Sequence, residues 1–331
     1  MKTAIITGVT GQDGAYLAKF LLKKGYSVIG LLRKDRETNL RNIEYLELGG
    51  KIKLLKTDLL DLSDIVKILE HYNIDEFYNL AAQSSVASSF KQPLETINFN
   101  IISTAGILEA IRIVDPKIKY YQASSSEMYG NVKKETLPIN EKFPLNPISP
   151  YGVSKAASHL LTINYRRSYN MFAVCGICFN HESVLRSNNF VTKKIINTAV
   201  KISMGLAKEL RLGNLDVFRD WGYAPRYVEA MWLMLQQNKP ENFIVSSGKA
   251  YSLEEFAVKV FKRLNLNFNQ CVKIDKKLFR PNDLEVNYGD NSKVKKKLKW
   301  EYSISFDELI KLLVEDEIKY IRWNIKNNND F

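Results

Sequence analysis

Residues 3 to 25 read TAIITGVTGQDGAYLAKFLLKKG, and no other stretch narrows the possible folds as much. TAIIT is a short apolar, β-rich run, whereas AYLAKFLLKKG repeats apolar residues at helical spacing and stops at Gly25. A strand therefore feeds a helix through a turn built on Gly8, Gly11 and Gly14 in G-x-x-G-x-x-G spacing. Glycines let the backbone approach a pyrophosphate closely, and the helix N-terminus adds N–H groups and the positive end of its dipole. The loop, with Gln12 and Asp13 inside it, is a candidate dinucleotide cradle.

The same alternation continues. YSVIGLL, IKLLKT, EFYNLAA, KYYQAS and MFAVCGICFN read as buried strands, separated by helical stretches such as LSDIVKILEHY and LETINFNIISTAGILEAIRIV. Strands and helices in this order predict an α/β fold, a doubly wound parallel sheet of the Rossmann kind. Beyond Asn180 the alternation loosens, although NFVTKKIINTAVKISMG, YVEAMWLMLQQ, SLEEFAVKVFKRL and SFDELIKLLVEDEIKYIRW still look helical and NFIVSSG looks like a strand. Residues 1–180 are thus expected to form the cofactor-binding domain. Residues 181–331 are expected to form mainly a smaller α/β substrate-binding region, with possible crossings back to the first.

At 331 residues, 45% hydrophobic and 25% charged, the chain can bury a sizeable core. No stretch reads as approaching the roughly 20 apolar residues of a membrane span, and MKT leads straight into a strand, so a cytosolic location and no membrane partner are expected. Three cysteines give no disulfide framework, and Cys175 and Cys178 lie in a strand pattern that sends them to opposite faces. With only His71, His159 and His181 and no ligand-type spacing, no metal is expected. The net charge of +12 is spread along the chain, and KVKKKLKW, at 293 to 300, reads as a solvated helix face. An anionic small substrate is expected in preference to nucleic acid.

Two further features bear on the site. The second strand ends in Arg33 and Lys34, where an acidic residue would accept the ribose hydroxyl of NAD, so NADP is favoured while Asp35 leaves room for NAD. Asp58 and Leu59, after the third strand, are expected at the adenine edge, and Leu80, Ala81 and Ala82, after the fourth, beside the cofactor. In SPYGVSK, Pro150 suits the first turn of a helix, so Tyr151 and Lys155, four apart, share one face and can act on one atom.

GVTGQDGAYLA, YNLAAQSSVASSF, ASSSEMYG, SPYGVSK, FNHES, NFVTKK, LGNLDVFRDWGYA and VEAMWLMLQQ, in that order, resemble the extended short-chain dehydrogenase/reductase family, and within it the GDP-mannose 4,6-dehydratases. The likeness runs from about residue 3 to about residue 302. It implies removal of water from a nucleotide sugar without net redox. Tyr151, as phenolate, takes the C4 hydroxyl proton while hydride leaves C4; Lys155, together with the positively charged oxidised nicotinamide, lowers the phenol pKa and also holds the cofactor ribose; Glu127 removes the C5 proton and assists loss of the C6 hydroxyl. Ser125 holds the C4 oxygen, and Ser126, where dTDP-glucose dehydratases carry aspartate, points to GDP. Carried over as substrate contacts are Ser84, Asn180, Glu182, Lys193, Arg219, Arg280 and Asp283. A homodimer or homotetramer is also implied.

The chain departs from that pattern after FNHES. The family continues P-R-R-G-E-N-F, a loop tied to the subunit contact, whereas this chain has Val184, Leu185, Arg186, Ser187 and Asn188. Arg226 and Asp283 also replace more usual residues. A GDP-linked sugar with mannose as first choice is expected, with manno-heptose or an N-acetylhexosamine as alternatives. A 4-reductase or epimerase of the same superfamily needs Tyr151 and Lys155 but not Glu127. A non-catalytic NADP sensor would typically lack the tyrosine or the lysine.

Overall fold

Parallel strands buried on both faces need a covering element at every crossover, and the chain delivers strands and helices in that order. The computed structural model describes residues 1–34, 37–279 and 284–327. Its main sheet contains β1 (Thr3–Thr7), β2 (Ser27–Arg33), β3 (Lys53–Thr57), β4 (Glu76–Asn79), β5 (Lys119–Ser125), β6 (Ala173–Cys178) and β7 (Asn242–Val245). They lie in the order β7-β6-β5-β4-β1-β2-β3, and every pairing is parallel. This is the doubly wound Rossmann arrangement.

The order reverses between β1 and β4, which opens a crevice at their carboxyl ends. One hydroxyl sets its geometry. Thr7 Oγ1 donates to Asn79 Oδ1 (2.8 Å) and accepts from the backbone N–H groups of Leu80 and Ala81 (both 3.0 Å). β4 accordingly ends at Asn79, short of the EFYNLAA run, because those two N–H groups turn to a side chain rather than to the ladder.

The Pro93–Val114 helix corrects one expectation. It has 22 residues, and its most apolar 18-residue window has a mean hydropathy of 1.4, enough by length and composition for a membrane span. It packs instead against the Leu62–His71 and Pro150–Ser168 helices, with Ile107, Leu108, Ala110 and Ile111 buried. The polar residues that broke the apolar run are used for ties: Thr104 Oγ1 donates to Asn100 O (2.8 Å) and lies 3.2 Å from Ser158 Oγ.

Part of the second half returns to the sheet, through β7 and the Ala224–Leu235 helix against the Gln12–Lys23 helix. The Val191–Ser203, Leu253–Arg263 and Phe306–Lys326 helices build a separate core from residues such as Ile195, Phe256, Phe261, Leu309 and Leu313. Short pairs attach to it, Leu210–Leu212 with Val272–Ile274 and Phe218–Arg219 with Tyr251–Ser252 and Val286–Asn287. Strands of two or three residues carry no readable period. In KVKKKLKW the face is solvated as expected, but Val294, Leu298 and Trp300 are buried, and Lys293 and Lys297 both pair with Glu241.

Gly14 lies where the loop meets its own helix: a Cβ there would stand 2.2 Å from Gly8 O and 2.6 Å from Val9 Cα. Gly14→Ala must move backbone and is expected to cost about 1–3 kcal/mol. Urea unfolding should show a lowered midpoint with an unchanged slope. A wild-type midpoint would contradict the packing described for this loop.

Candidate active site

The glycine loop fits a dinucleotide on two structural grounds. Gly8 has φ +67, and a Cβ on it would lie 3.0 Å from Ala81 N, so the turn after β1 and the turn after β4 touch through bare backbone. The Gln12–Lys23 helix starts at Gly11 with no side-chain cap, and Gly11 to Gly14 line the cleft, so no side chain of the protein occupies the cap position where an anion would bind. At the end of β2, the Arg33 guanidinium lies 4.9 Å from the Phe99 ring centroid, and Lys34 pairs with Asp64 at 2.9 Å. Asp58 accepts from Leu60 N (2.9 Å), and Leu59 is buried next to it.

Tyr151 and Lys155 sit in the first turns of the Pro150–Ser168 helix. Ser149 caps it by accepting from Gly152 N (3.0 Å), and Pro150 occupies the first turn, where its missing N–H costs nothing. Asn100 anchors this helix. Its Nδ2 donates to Ser154 Oγ (2.9 Å) and to Gln83 O (3.2 Å), and its Oδ1 accepts from Gln83 N (2.9 Å). One buried asparagine therefore registers the Tyr151 helix against the NLAAQ turn.

β5 delivers the remaining pair. Ser125 ends the strand and accepts from Glu127 N (3.3 Å), so Glu127 lies in the single turn of 3-10 helix that follows. The Glu127 carbonyl oxygen would be 2.8 Å from a Cβ on residue 152, which explains the glycine after Tyr151.

The protein alone disfavours the Tyr151 phenolate. Burial pushes its phenol up, Glu127 adds to the rise, and a hydrogen bond with Ser125 and the Arg186 charge oppose it without winning. Lys155 does not lower it in the protein alone: its ammonium donates to Ala123 O (2.9 Å) and lies 5.9 Å from the Tyr151 ring centroid. Burial in turn brings Lys155 down to about 8, against the pull of Cys178 and Asp13.

Ser125, Glu127, Tyr151, Lys155 and the glycine loop line one cleft of about 1250 Å³. Arg33, Asp58, Leu59, Leu80, Ala81, Ala82, Ser84, Asn180, Glu182, Lys193 and Arg219 line it too. Arg280 and Asp283 lie outside the described residues. Several side chains expected at the ligands have protein partners. Lys193 donates to Val184 O (2.8 Å) and pairs with Glu317, which also accepts from Asn197 (2.7 Å). Glu182 pairs with Arg186 (3.2 Å) and accepts from Thr192 (2.6 Å), and Arg219 donates to Phe218 O (2.9 Å). Asp220, beside Arg219, accepts from the backbone of Ser247 (2.8 Å) and Gly248 (3.0 Å) and so ties loops together.

Three residues in or against this cleft escape sequence reasoning. His181 bonds Asp13, Arg186 donates to His181 O (2.6 Å) and lies 4.0 Å from the Phe190 ring centroid, and Glu317 holds Lys193 from the last helix. FNHES flags the first; Arg186 stands in a departing loop, and Glu317 lies 124 positions from its partner, where no local pattern points to it.

Comparison with known proteins agrees along the chain. A family model described as GDP-mannose 4,6 dehydratase matches residues 5–313. The chain is 44% identical over 328 residues to GDP-mannose 4,6 dehydratase 2 of Arabidopsis thaliana, covering 96% of this chain and 87% of the relative. It is 40% identical over 346 residues to the Homo sapiens GDP-mannose 4,6 dehydratase, covering 97% and 92%. Among solved structures it is similar in fold to a dTDP-glucose 4,6-dehydratase from Bacillus anthracis, with TM-score 0.85, 20% identity and 98% of each chain covered.

Lys155 gives a signed pH prediction. Its value falls from 10.5 when exposed to about 8 in the fold, so its contribution to stability is present above 10.5 and is lost as pH falls through about 8. Denaturant unfolding at a series of pH values should show wild type gaining stability relative to Lys155→Met across that window. A constant difference would mean that Lys155 is not desolvated.

Proposed function

The chain belongs to the GDP-mannose 4,6-dehydratase family of hydro-lyases, and on that premise we propose that it removes water from a GDP-linked sugar, GDP-mannose first, giving the 4-keto-6-deoxy product with NADP as cofactor. The observation that carries this reading is the meeting of Ser125, Glu127, Tyr151 and Lys155 with the glycine loop in one cleft. A bound nicotinamide dinucleotide supplies the acceptor and donor of hydride. Arg33, exposed to the cleft at the end of β2, supports NADP over NAD through its capacity to pair with a 2′-phosphate.

The chain's own residues have separate tasks. As a phenolate, the form that a bound oxidised nicotinamide and Lys155 would together favour against burial, Tyr151 takes the proton from the C4 hydroxyl, and the Ser125 hydroxyl holds the same oxygen as it becomes a ketone. That ketone acidifies C5, so the half-buried Glu127 suffices to remove the C5 proton and to pass a proton to the departing C6 hydroxyl. Lys155 holds positive charge on the same side of the cleft, near Tyr151. Glu127 is what favours dehydration over 4-reduction or epimerisation, neither of which needs a second base.

The segment after Ser183 gives a specific reason to test other sugars. Val184 and Leu185 turn into the core, and Arg186 is drawn onto Glu182 and the His181 carbonyl, which sets a different wall beside the sugar. GDP-manno-heptose and a GDP-N-acetylhexosamine are therefore alternative substrates. For assembly, Leu94, Ile102 and Ile113 on the Pro93–Val114 helix and Val153 and Leu160 on its neighbour are exposed, which supports a homodimer, or a homotetramer containing it, through these helices. Light scattering of Ile102→Glu with Leu160→Glu should then report a smaller particle than wild type; an unchanged mass would exclude this face.

Purified protein with NADP and each GDP-sugar is expected to yield a product lighter by one water. With a C4-deuterated substrate the isotope should appear at C6 of the product. Glu127→Gln should lower dehydration by about 10²–10⁴-fold while nucleotide binding persists. Loss of water from none of the sugars, or deuterium released to solvent, would refute the proposal.

A further inference from the structure

The charged pair that sequence reasoning did not assemble, Asp13 with His181, joins two elements far apart in the chain. Asp13 is the second residue of the Gln12–Lys23 helix and lines the cleft in the turn where the dinucleotide reading puts the pyrophosphate, and His181 is central in the short strand Asn180–Glu182. Phe179 O lies 2.7 Å from His181 Nδ1, and a carbonyl can only accept, so Nδ1 carries a hydrogen. His181 Nε2 lies 2.8 and 3.0 Å from the two Asp13 oxygens. An ionised Asp13 requires a hydrogen there too, which makes the ring a cation. Gln12 braces the same joint: its Nε2 donates to Asp13 Oδ1 and His181 O (both 3.1 Å), and its Oε1 accepts from Ser183 Oγ (2.8 Å).

A carboxylate in the first turn of a helix is normally favourable, but at an anion-binding turn it competes with the ligand. Resting on the dinucleotide reading above, we propose that Asp13 and His181 are positioning residues for the cofactor. Their pair bolts the glycine-loop helix to the strand that borders the sugar, and the proton on His181 cancels a carboxylate charge that would otherwise oppose the dinucleotide phosphates.

The surroundings leave little else to cancel that charge. Arg186 is committed to Glu182 and the His181 carbonyl, so the cluster contains two cations and two carboxylates. Tyr227 stacks on His181 with centroids 4.6 Å apart, and Tyr227, Tyr121 and Cys178 are all pushed up by burial and stay neutral. Burial opposes the imidazolium, yet Asp13 raises His181 above the ordinary histidine range; burial likewise opposes the Asp13 carboxylate, which His181 nevertheless holds below its own. Lys155, at about 8, is the other group facing Asp13 whose charge changes on the alkaline side.

The test is a double-mutant cycle on binding of NADP⁺, measured by titration calorimetry on full-length protein with no sugar present. His181→Gln is expected to weaken binding about tenfold or more, and adding Asp13→Asn should restore most of that loss by removing the uncompensated charge. A double variant as weak as His181→Gln, or weaker, overturns the charge-cancelling role. In parallel, the affinity advantage of Asp13→Asn over wild type should grow as pH rises on the alkaline side of the ordinary histidine range, where His181, held up by Asp13, gives up its proton. Repeating this in the Lys155→Met background removes the other titrating cation. An advantage that does not change with pH overturns the inference, and this arm decides alone if His181→Gln fails to fold. Wild type that binds no NADP⁺ at any pH would instead refute the dinucleotide reading itself.

Discussion

The contact between the turns after β1 and β4 governs everything built around it. Thr7 holds Asn79 and the N–H groups of Leu80 and Ala81, and Gly8 lets the two turns meet backbone to backbone. Strand order reverses there, so helices diverge to opposite faces and leave a crevice that neither side fills. A branched side chain at position 8 would separate the turns, and the cradle would lose its floor. The NLAAQ turn then passes the registration outward through Gln83 to Asn100 and from Asn100 to the Tyr151 helix. The chemistry is thus located by three buried polar residues, none of which touches a reacting atom.

Burial explains the protonation pattern of the site. Withdrawn from water, Tyr151 keeps its proton and Lys155 holds its own weakly, so each charged form becomes costly and sensitive to neighbours. Where charge must persist it is paired, as in Asp13 with His181, Glu182 with Arg186 and Lys193 with Glu317. The first and third pairs join segments far apart in the chain, the second spans four residues, and in each removing one partner would strand the other in low dielectric. Such pairs set geometry more than they add stability.

The sheet was legible because every one of its strands is long enough to show an apolar run and is bounded by a helix or turn signal. Boundaries slipped where a side chain captured backbone N–H groups, as at Leu80 and Ala81. The apolar Pro93–Val114 helix shows a different failure: reading uninterrupted runs missed an average high enough to span a membrane, and its packing between two helices was not visible at all. In the site, the glycine spacing, Tyr151 with Lys155 and the Ser125–Glu127 turn were readable, since each is local. How far burial raises Tyr151 in the protein alone was not readable, because distance and exclusion of water decide such effects and neither is written in a motif.

Local order by itself determined the parallel sheet, the glycine cradle and the shared face of Tyr151 and Lys155, because helix and strand periods and turn chemistry act over a few residues. Only the tertiary structure decided which charges meet. Asp13 finds His181 from 168 positions away, and Glu317 crosses from the last helix to occupy Lys193. Electrostatic energy depends on separation in space and on exclusion of water, and both quantities exist only once the chain has closed around the cleft.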